Sequence, residues 1–504
     1  MNDSIKEGVI LDNQVMQNFL YKRYLSTPNR LAFHYDGKDY TFSDVYHESY
    51  KIAGHLAAKG IKESQFVGVL LKNNLETVYI LFALQLLDAR TVILNNRLTS
   101  KEILWQLRDS KASYLITERA FDKVYTEVKY ELAEIQVVLK EAIDQEAYIE
   151  PAIVKEIHLD NVCTVMYTSG TTGHPKGVKQ SYGNHLWSAV GSSLNLGIND
   201  RDAWLCTVPL FHISGFSILM RGLIYGMKVV LIDPFDARTI IEMIHKQNVT
   251  IMSSVSTMLR KLLDELGEAR LPTTFRGILL GGGPASQALL EDSIAHNIPI
   301  YQTYGMTETA SQIATLSPED SLQRVGSAGK PLFPSQLKII NESGHEAEPN
   351  ASGEILVKGP NVTSGYLGRD HETAEKLNNG WLSTGDIGYL DEDGFLYVLD
   401  RRSDLIISGG ENIYPAEVEG IVAAHHAVAD AGVVGMKDST WGEVPVAFVV
   451  IKKNHDVSHD ELESFCNEKL AKYKVPKRFF IVEKIPRNAA KKILRRELRK
   501  MIQM

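Results

Sequence analysis

Cysteine is scarce in this chain: 3 in 504 residues, at positions 163, 206 and 466. Neither their number nor their spacing offers a thiolate metal cage or a disulfide framework. That points to a reducing compartment, with the cytoplasm as the expected location. Long apolar runs are also missing. The most apolar stretch, Val78 to Leu94, is interrupted by Asp88 and Arg90, so neither a membrane span nor stable membrane association is expected. The first residues carry no basic and apolar leader pattern. Positive charge is not in excess: Lys and Arg number 54 against 62 Asp and Glu, a net charge of −8. This argues against nucleic acid or an anionic membrane as partner. Repeats and low-complexity tracts are absent, and so is the P-loop spacing of glycines followed by Lys-Ser/Thr.

What remains is a globular composition, 44% hydrophobic and 23% charged. The length calls for more than one core. Apolar runs such as Val67-Gly-Val-Leu-Leu71 and Lys228-Val-Val-Leu-Ile232 alternate with helical patterns such as Ala237 to Gln247. This rhythm predicts an α/β fold with parallel sheets covered by helices. From about residue 335 to 400 the texture changes to short runs between Gly, Asp and Asn turns, which predicts a small β subdomain. Asp391-Glu-Asp-Gly394 reads as a hairpin turn within it. A charged cluster and a double glycine follow Asp400, and the remainder reads as a small α+β domain. The predicted domains are therefore 1–402 and 403–504 with a hinge between them, and the mobility of 403–504 is what the family resemblance described below implies.

The most informative segment is Tyr167-Thr-Ser-Gly-Thr-Thr-Gly-His-Pro-Lys-Gly177, directly after the apolar run Val162 to Met166. Glycines let backbone N–H groups turn toward an anion, hydroxyls add donors, and Lys176 adds a point charge. Thr168, Ser169, Gly170, Thr171, Thr172, Gly173 and Lys176 thus form a candidate polyphosphate loop. Three further segments stand at strand ends or turns: Gly281-Gly-Gly-Pro284, Tyr304-Gly-Met-Thr-Glu308 and Trp381-Leu-Ser-Thr-Gly-Asp386. The last run of interest is Pro486-Arg-Asn-Ala-Ala-Lys-Lys-Ile-Leu-Arg-Arg496.

In this order, these segments resemble the adenylate-forming (AMP-binding) superfamily of acyl-CoA synthetases, aryl-CoA ligases, luciferases and peptide-synthetase adenylation domains. The resemblance runs over the whole chain. Within it, Leu94-Asn-Asn-Arg-Leu-Thr99, Tyr182-Gly-Asn-His185, Pro209-Leu-Phe-His-Ile-Ser-Gly215, Tyr301 to Gln312 and Val325 to Pro331 look most like the branch that joins 2-succinylbenzoate to CoA for menaquinone synthesis. The resemblance implies a ligase that uses ATP, Mg²⁺ and CoA and passes through an acyl-adenylate. Thr307 would contact the α-phosphate and Glu308 would serve Mg²⁺. Tyr304 and the Gly281, Gly282, Gly283 backbone would hold adenine. Asp386 would accept from the ribose hydroxyls, and Arg401 would contact the adenylate.

Lys492 would stabilise charge during adenylation. The family commonly places Ser/Thr-Gly before this lysine, whereas this chain has Ala490-Lys491. Lys491 itself reads as part of a solvated basic end. The position matching the hinge is Ser403, where many relatives carry Asp or Lys. After rotation of the C-terminal domain, the Gly409-Gly-Glu-Asn-Ile-Tyr-Pro415 region would serve thioester formation.

His212, Ser214, Gly305 and Ser311 are the expected acid-binding residues, with His212 also near the chemistry. A second substrate carboxylate could meet Arg221, Ser214, Ser311 or Gln312, and the sequence does not choose. Nor does it choose between a monomer and a homo-oligomer. Three other readings stand beside this one. An aryl- or fatty-acyl-CoA synthetase would share the mechanism. A peptide-synthetase adenylation domain is disfavoured because no carrier domain is seen after the lysine motif. A non-catalytic ATP-binding switch would need neither Lys492 nor Asp386.

Overall fold

The computed structural model describes residues 14–145, 147–169, 175–282, 285, 287–400, 405–452, 455–486 and 493–502. Short β-branched runs build the first sheet in the order Pro175–Ser181, Val162–Ser169, Arg90–Ile93, Phe66–Leu70, Tyr114–Thr117, Gln136–Leu139. Its strands are parallel except for the first pair, which is antiparallel. Such strands are covered on both faces and read as continuous apolar runs rather than alternating ones.

A second, larger sheet holds the parallel strands Leu31–Tyr35, Lys228–Leu231, Ala203–Cys206, Ile251–Val255, Gly277–Gly281 and Ile300–Met306. The helix Ala237–Lys246 lies in the expected place. Asp236 caps it, accepting from the Thr239 N–H, and Ile240 and Ile244 are buried. In the helix Leu75–Leu86 every residue but Glu76 is buried, which explains the apolar stretch that begins at Val78. No helix among the described residues is long and apolar enough to cross a membrane.

The predicted β subdomain is present but is not a separate sheet. Strands Gln336–Ile340, Gly353–Lys358, Trp381–Leu390 and Leu396–Asp400 are antiparallel, with the turn at Asp391–Gly394 as expected. Leu396–Asp400 pairs with Ser327–Pro331, which pairs with Ser311–Leu316, so one sheet runs through both regions. A helix, Asp370–Lys376, also interrupts the run of strands. It was missed because seven mostly charged residues carry no apolar period.

The C-terminal part has its own sheet, in the order Glu411–Ile413, Ile406–Ser408, Gly442–Ile451, Val428–Asp438, with Phe479–Ile481 parallel to Gly442–Ile451. The helices Pro415–Ala423, His459–Asn467 and Arg495–Ile502 accompany it. A core of its own, including Val418, Val422, Val433, Val449 and Leu462, is buried there. The predicted boundary at residue 402, and Ser403 with it, lies outside the described residues.

Candidate active site between the two sheets and the C-terminal unit

The candidate phosphate loop is carried by a hairpin. Val162–Ser169 and Pro175–Ser181 are antiparallel, with Ser169 opposite Pro175 and Thr168 opposite Lys176. Gly170, Thr171, Thr172 and Gly173 at its tip lie outside the described residues, as does the side chain of Ser169. Thr168 and Thr307 line one small cavity with His212, Glu411, Tyr473 and Lys474. Three expected residues from distant segments are thereby brought to one wall.

Lys176 and Glu308 are not on that wall, but they share a neighbour. The Lys176 Nζ stands 5.5 Å above the ring of Tyr366 and 3.1 Å from Glu372. The Tyr366 hydroxyl donates to Glu308 Oε1 at 3.0 Å. Glu308 is only 5% exposed, so its carboxylate is oriented from within. Tyr366 carries no motif, so no local pattern points to it.

Strand Ile300–Met306 leads into a single 3₁₀ turn, Thr307–Thr309. Gln180 donates its amide to the Thr307 carbonyl at 2.8 Å, which fixes the turn against the loop hairpin. Tyr304 donates its hydroxyl to Asp386 Oδ2 at 2.7 Å, and both residues are buried. The two expected nucleoside residues are therefore in direct contact. The Asp386 backbone N–H donates to Thr384 Oγ1 at 3.0 Å, which explains the Thr-Gly-Asp order: the threonine side chain makes the turn.

Gly281 ends its strand and Gly282 follows at φ +90°. A Cβ added at Gly281 would find its nearest neighbour, Thr303, at 3.8 Å, so the strand end presents open backbone. Gly283, Arg401, Lys491 and Lys492 lie outside the described residues.

On the acid side, His212 precedes the helix Ile213–Tyr225. His212 and Ser214 line a cavity of about 380 Å³ with Phe211, Thr257, Trp441 and Gly410. About two helical turns beyond Ser214, Arg221 is buried. Its Nη2 donates to Ser311 Oγ at 3.2 Å and to Gln312 Oε1 at 3.3 Å, and its guanidinium lies 5.0 Å over Trp204. Arg221 forms no ion pair among the described residues, and its Nε has no hydrogen-bond partner. Burial pushes its pKa down. A buried cation without a carboxylate is expensive unless something neutralises it. Ser311 sits at φ +109° after Ala310 at +49°, and the Gly305 Cα faces this turn so closely that a Cβ would stand 1.9 Å from the Ser311 carbonyl oxygen.

The C-terminal unit completes both cavities. Glu411, on the strand Glu411–Ile413, accepts from His212 Nε2 at 3.0 Å, from Arg97 Nη1 at 2.5 Å and from Asn95 Nδ2 at 3.3 Å. Burial pushes the Glu411 carboxyl up, but His212, Arg97 and Asn95 outweigh it and hold it below the usual carboxylate range. Asn95 and Arg97 lie in the stretch Leu94 to Thr99, whose contact with Glu411 no local pattern could reveal. Trp441, 51% exposed, and Gly409 and Gly410 form the outer wall of the larger cavity.

The family model for AMP-binding enzymes matches residues 21–367, and that for the AMP-binding enzyme C-terminal domain matches 417–492. The chain belongs to the AMP-binding enzymes. Among members of that family it is 53% identical to the 2-succinylbenzoate–CoA ligase of Geobacillus kaustophilus, over 97% of this chain and 98% of that protein. The o-succinylbenzoate CoA synthetase of Bacillus subtilis, as a double mutant bound with its product analogue OSB-NCoA, is 48% identical. It covers 96% of this chain and 98% of its own, with a TM-score of 0.92. The same AMP-binding enzyme in complex with the acyl-adenylate intermediate OSB-AMP gives 0.75 at equal identity and coverage. Over the whole chain, this structure superposes more closely on the product-analogue complex than on the acyl-adenylate complex.

Proposed function

We propose that the chain is a 2-succinylbenzoate–CoA ligase that works in two steps. In the first, the acid carboxylate attacks the α-phosphorus of ATP, giving acyl-adenylate and pyrophosphate. In the second, the CoA thiol attacks the acyl carbon, the thioester forms and AMP leaves. Likeness to ligases of this acid along nearly the whole chain is the observation that carries the reading.

The geometry supports the chemistry. Thr168 and Thr307 face one cavity at the position suited to phosphate oxygens. Asp386, held by Tyr304, suits the ribose hydroxyls. Lys492 stabilises charge at the carboxylate and α-phosphate in the first step. Mg²⁺, when bound with ATP, neutralises phosphate charge. Glu308, a buried hard-oxygen donor oriented by Tyr366 and next to Thr307, fits it. His212, Ser214, Gly305 and Ser311 border the acid, and Arg221 with Ser311 and Gln312 supplies the positive partner for a second carboxylate. The units 1–402 and 403–504 turn about Ser403 between steps. Glu411 and Trp441 then close the larger cavity for the CoA arm. Three buried free cysteines fit a cytoplasmic location.

The test is AMP and thioester formation with ATP, Mg²⁺ and CoA over 2-succinylbenzoate, benzoate, a medium-chain and a long-chain fatty acid. Thioester from 2-succinylbenzoate alone is expected, and Lys492→Ala should abolish adenylation while ATP still binds. Turnover of benzoate or a fatty acid instead would overturn the choice of acid. Indifference to Lys492→Ala would overturn the ligase itself.

A further inference from the structure

The segment 95–102 meets the C-terminal unit twice. Asn95 and Arg97 hold Glu411, inside the reaction cavity. The second meeting lies beyond the residues that line either cavity on the N-terminal side. Lys474, only 4% exposed, places its Nζ 2.6 Å from Glu102 Oε1 and 2.7 Å from Glu417 Oε1. Glu417 stands in the first turn of the helix Pro415–Ala423, so the Lys474–Glu417 pair lies wholly within the C-terminal unit. Glu102 alone comes from the other side.

Both halves of this contact are set before they meet. The Glu102 Oε2 accepts from the Thr99 backbone N–H and from Thr99 Oγ1, both at 2.8 Å, closing a capping box at the start of the helix Ser100–Ser110. That leaves Oε1 aimed outward without further loss of side-chain freedom. Lys474 is held by Glu417, so it is not an orphaned charge when Glu102 is absent. Burial works against the Lys474 ammonium, but Glu417, Tyr473 and Glu102 outweigh it and hold it above the ordinary lysine range. A contact between two pre-set, individually satisfied halves can form and release without stranding a buried charge.

We infer that Glu102 is a positioning residue for the CoA step: through Lys474 it holds the C-terminal unit in the orientation that brings Glu411 and Trp441 onto the larger cavity, and it has no part in adenylation. This rests on the two-step reading above. Glu102 lines neither cavity, while its partner Lys474 lines the smaller one beside Thr168 and Thr307, so the adenylation burst is the control that separates its effect from that of Glu411, which contacts His212 directly.

The experiment has two arms. In rapid-mixing assays, Glu102→Gln keeps the helix cap, since glutamine serves in a capping box, but removes the charge. The pyrophosphate burst with ATP and 2-succinylbenzoate should stay within about twofold of wild type, while the CoA-dependent step slows on the order of tenfold. In the second arm, spin labels at Tyr130→Cys and Ile481→Cys, both exposed positions on opposite units, report the distance between units without any turnover. The native cysteines are buried and should not compete. Glu102→Gln should deplete the docked distance. An unchanged distance distribution, or equal slowing of both steps, would overturn the inference. If wild type gave no pyrophosphate with 2-succinylbenzoate, the two-step reading would fall, and the distance arm would still decide the role of Glu102 in docking.

Discussion

The Tyr304–Asp386 contact shows how a single carboxylate is readied for a polar ligand. Asp386 is turned by Thr384 and braced by a tyrosine hydroxyl, so its charge is fixed before any nucleotide arrives. Asp386→Asn keeps the shape and removes the charge. A hydrogen bond to a charged group is worth about 1.5–3 kcal/mol, so the KM for ATP should rise roughly ten- to hundredfold. Steady-state kinetics with varied ATP check this, and an unchanged KM would remove Asp386 from the nucleotide site. The residue was legible through the family resemblance of Trp381 to Asp386 followed by Arg401, since a lone Gly-Asp carries no signal. Its brace was legible only as a neighbour in the list of motifs, since Tyr304 lies 82 positions away.

At the scale of elements, the antiparallel pair Ile300–Met306 and Ser311–Leu316 carries Tyr304, Thr307, Glu308 and Ser311 on one short hairpin with a shifted register. Its tightness rests on Gly305, where a Cβ would meet backbone rather than a flexible side chain. Gly305→Ala should therefore destabilise by about 1–3 kcal/mol and lower adenylation, read by urea unfolding and by pyrophosphate release. Wild-type stability in this variant would mean that the turn has room the geometry denies.

The same scale explains what could and could not be read beforehand. The phosphate-loop hairpin announced itself through strand, glycines and lysine in sequence. The parallel strands announced themselves as apolar runs. The helix Asp370–Lys376 did not, because its charged residues have no buried face to set a period. The stretch Leu94 to Thr99 could be matched as a pattern and Glu102 could not, and the partners of Arg97 and Glu102 stand at 411 and 474, on another unit. Contacts between side chains more than 300 positions apart leave no trace in local sequence.

For the whole molecule, acid is the informative stress. His185 is fully buried against Phe216 and Thr164, and burial drives its pKa down from 6.5 to about 3. The folded value lies below the unfolded one, so unfolding takes up a proton between them. Above pH 6.5 His185 contributes no pH dependence. Below it, stability falls by up to about 1.4 kcal/mol per pH unit until the folded value is reached. Urea unfolding at several pH values should show this slope in wild type and a shallower one in His185→Gln. Equal slopes would assign the acid sensitivity to other groups.

The larger cavity has one wall on each of two bodies: Phe211 and Thr257 on one, Gly410 and Trp441 on the other. It is therefore a vessel that is whole only while the bodies are together. A small molecule shaped to fill it would act as an adhesive between them, binding more tightly the more often they meet. Its apparent affinity would then be a gauge of how the enzyme divides its time.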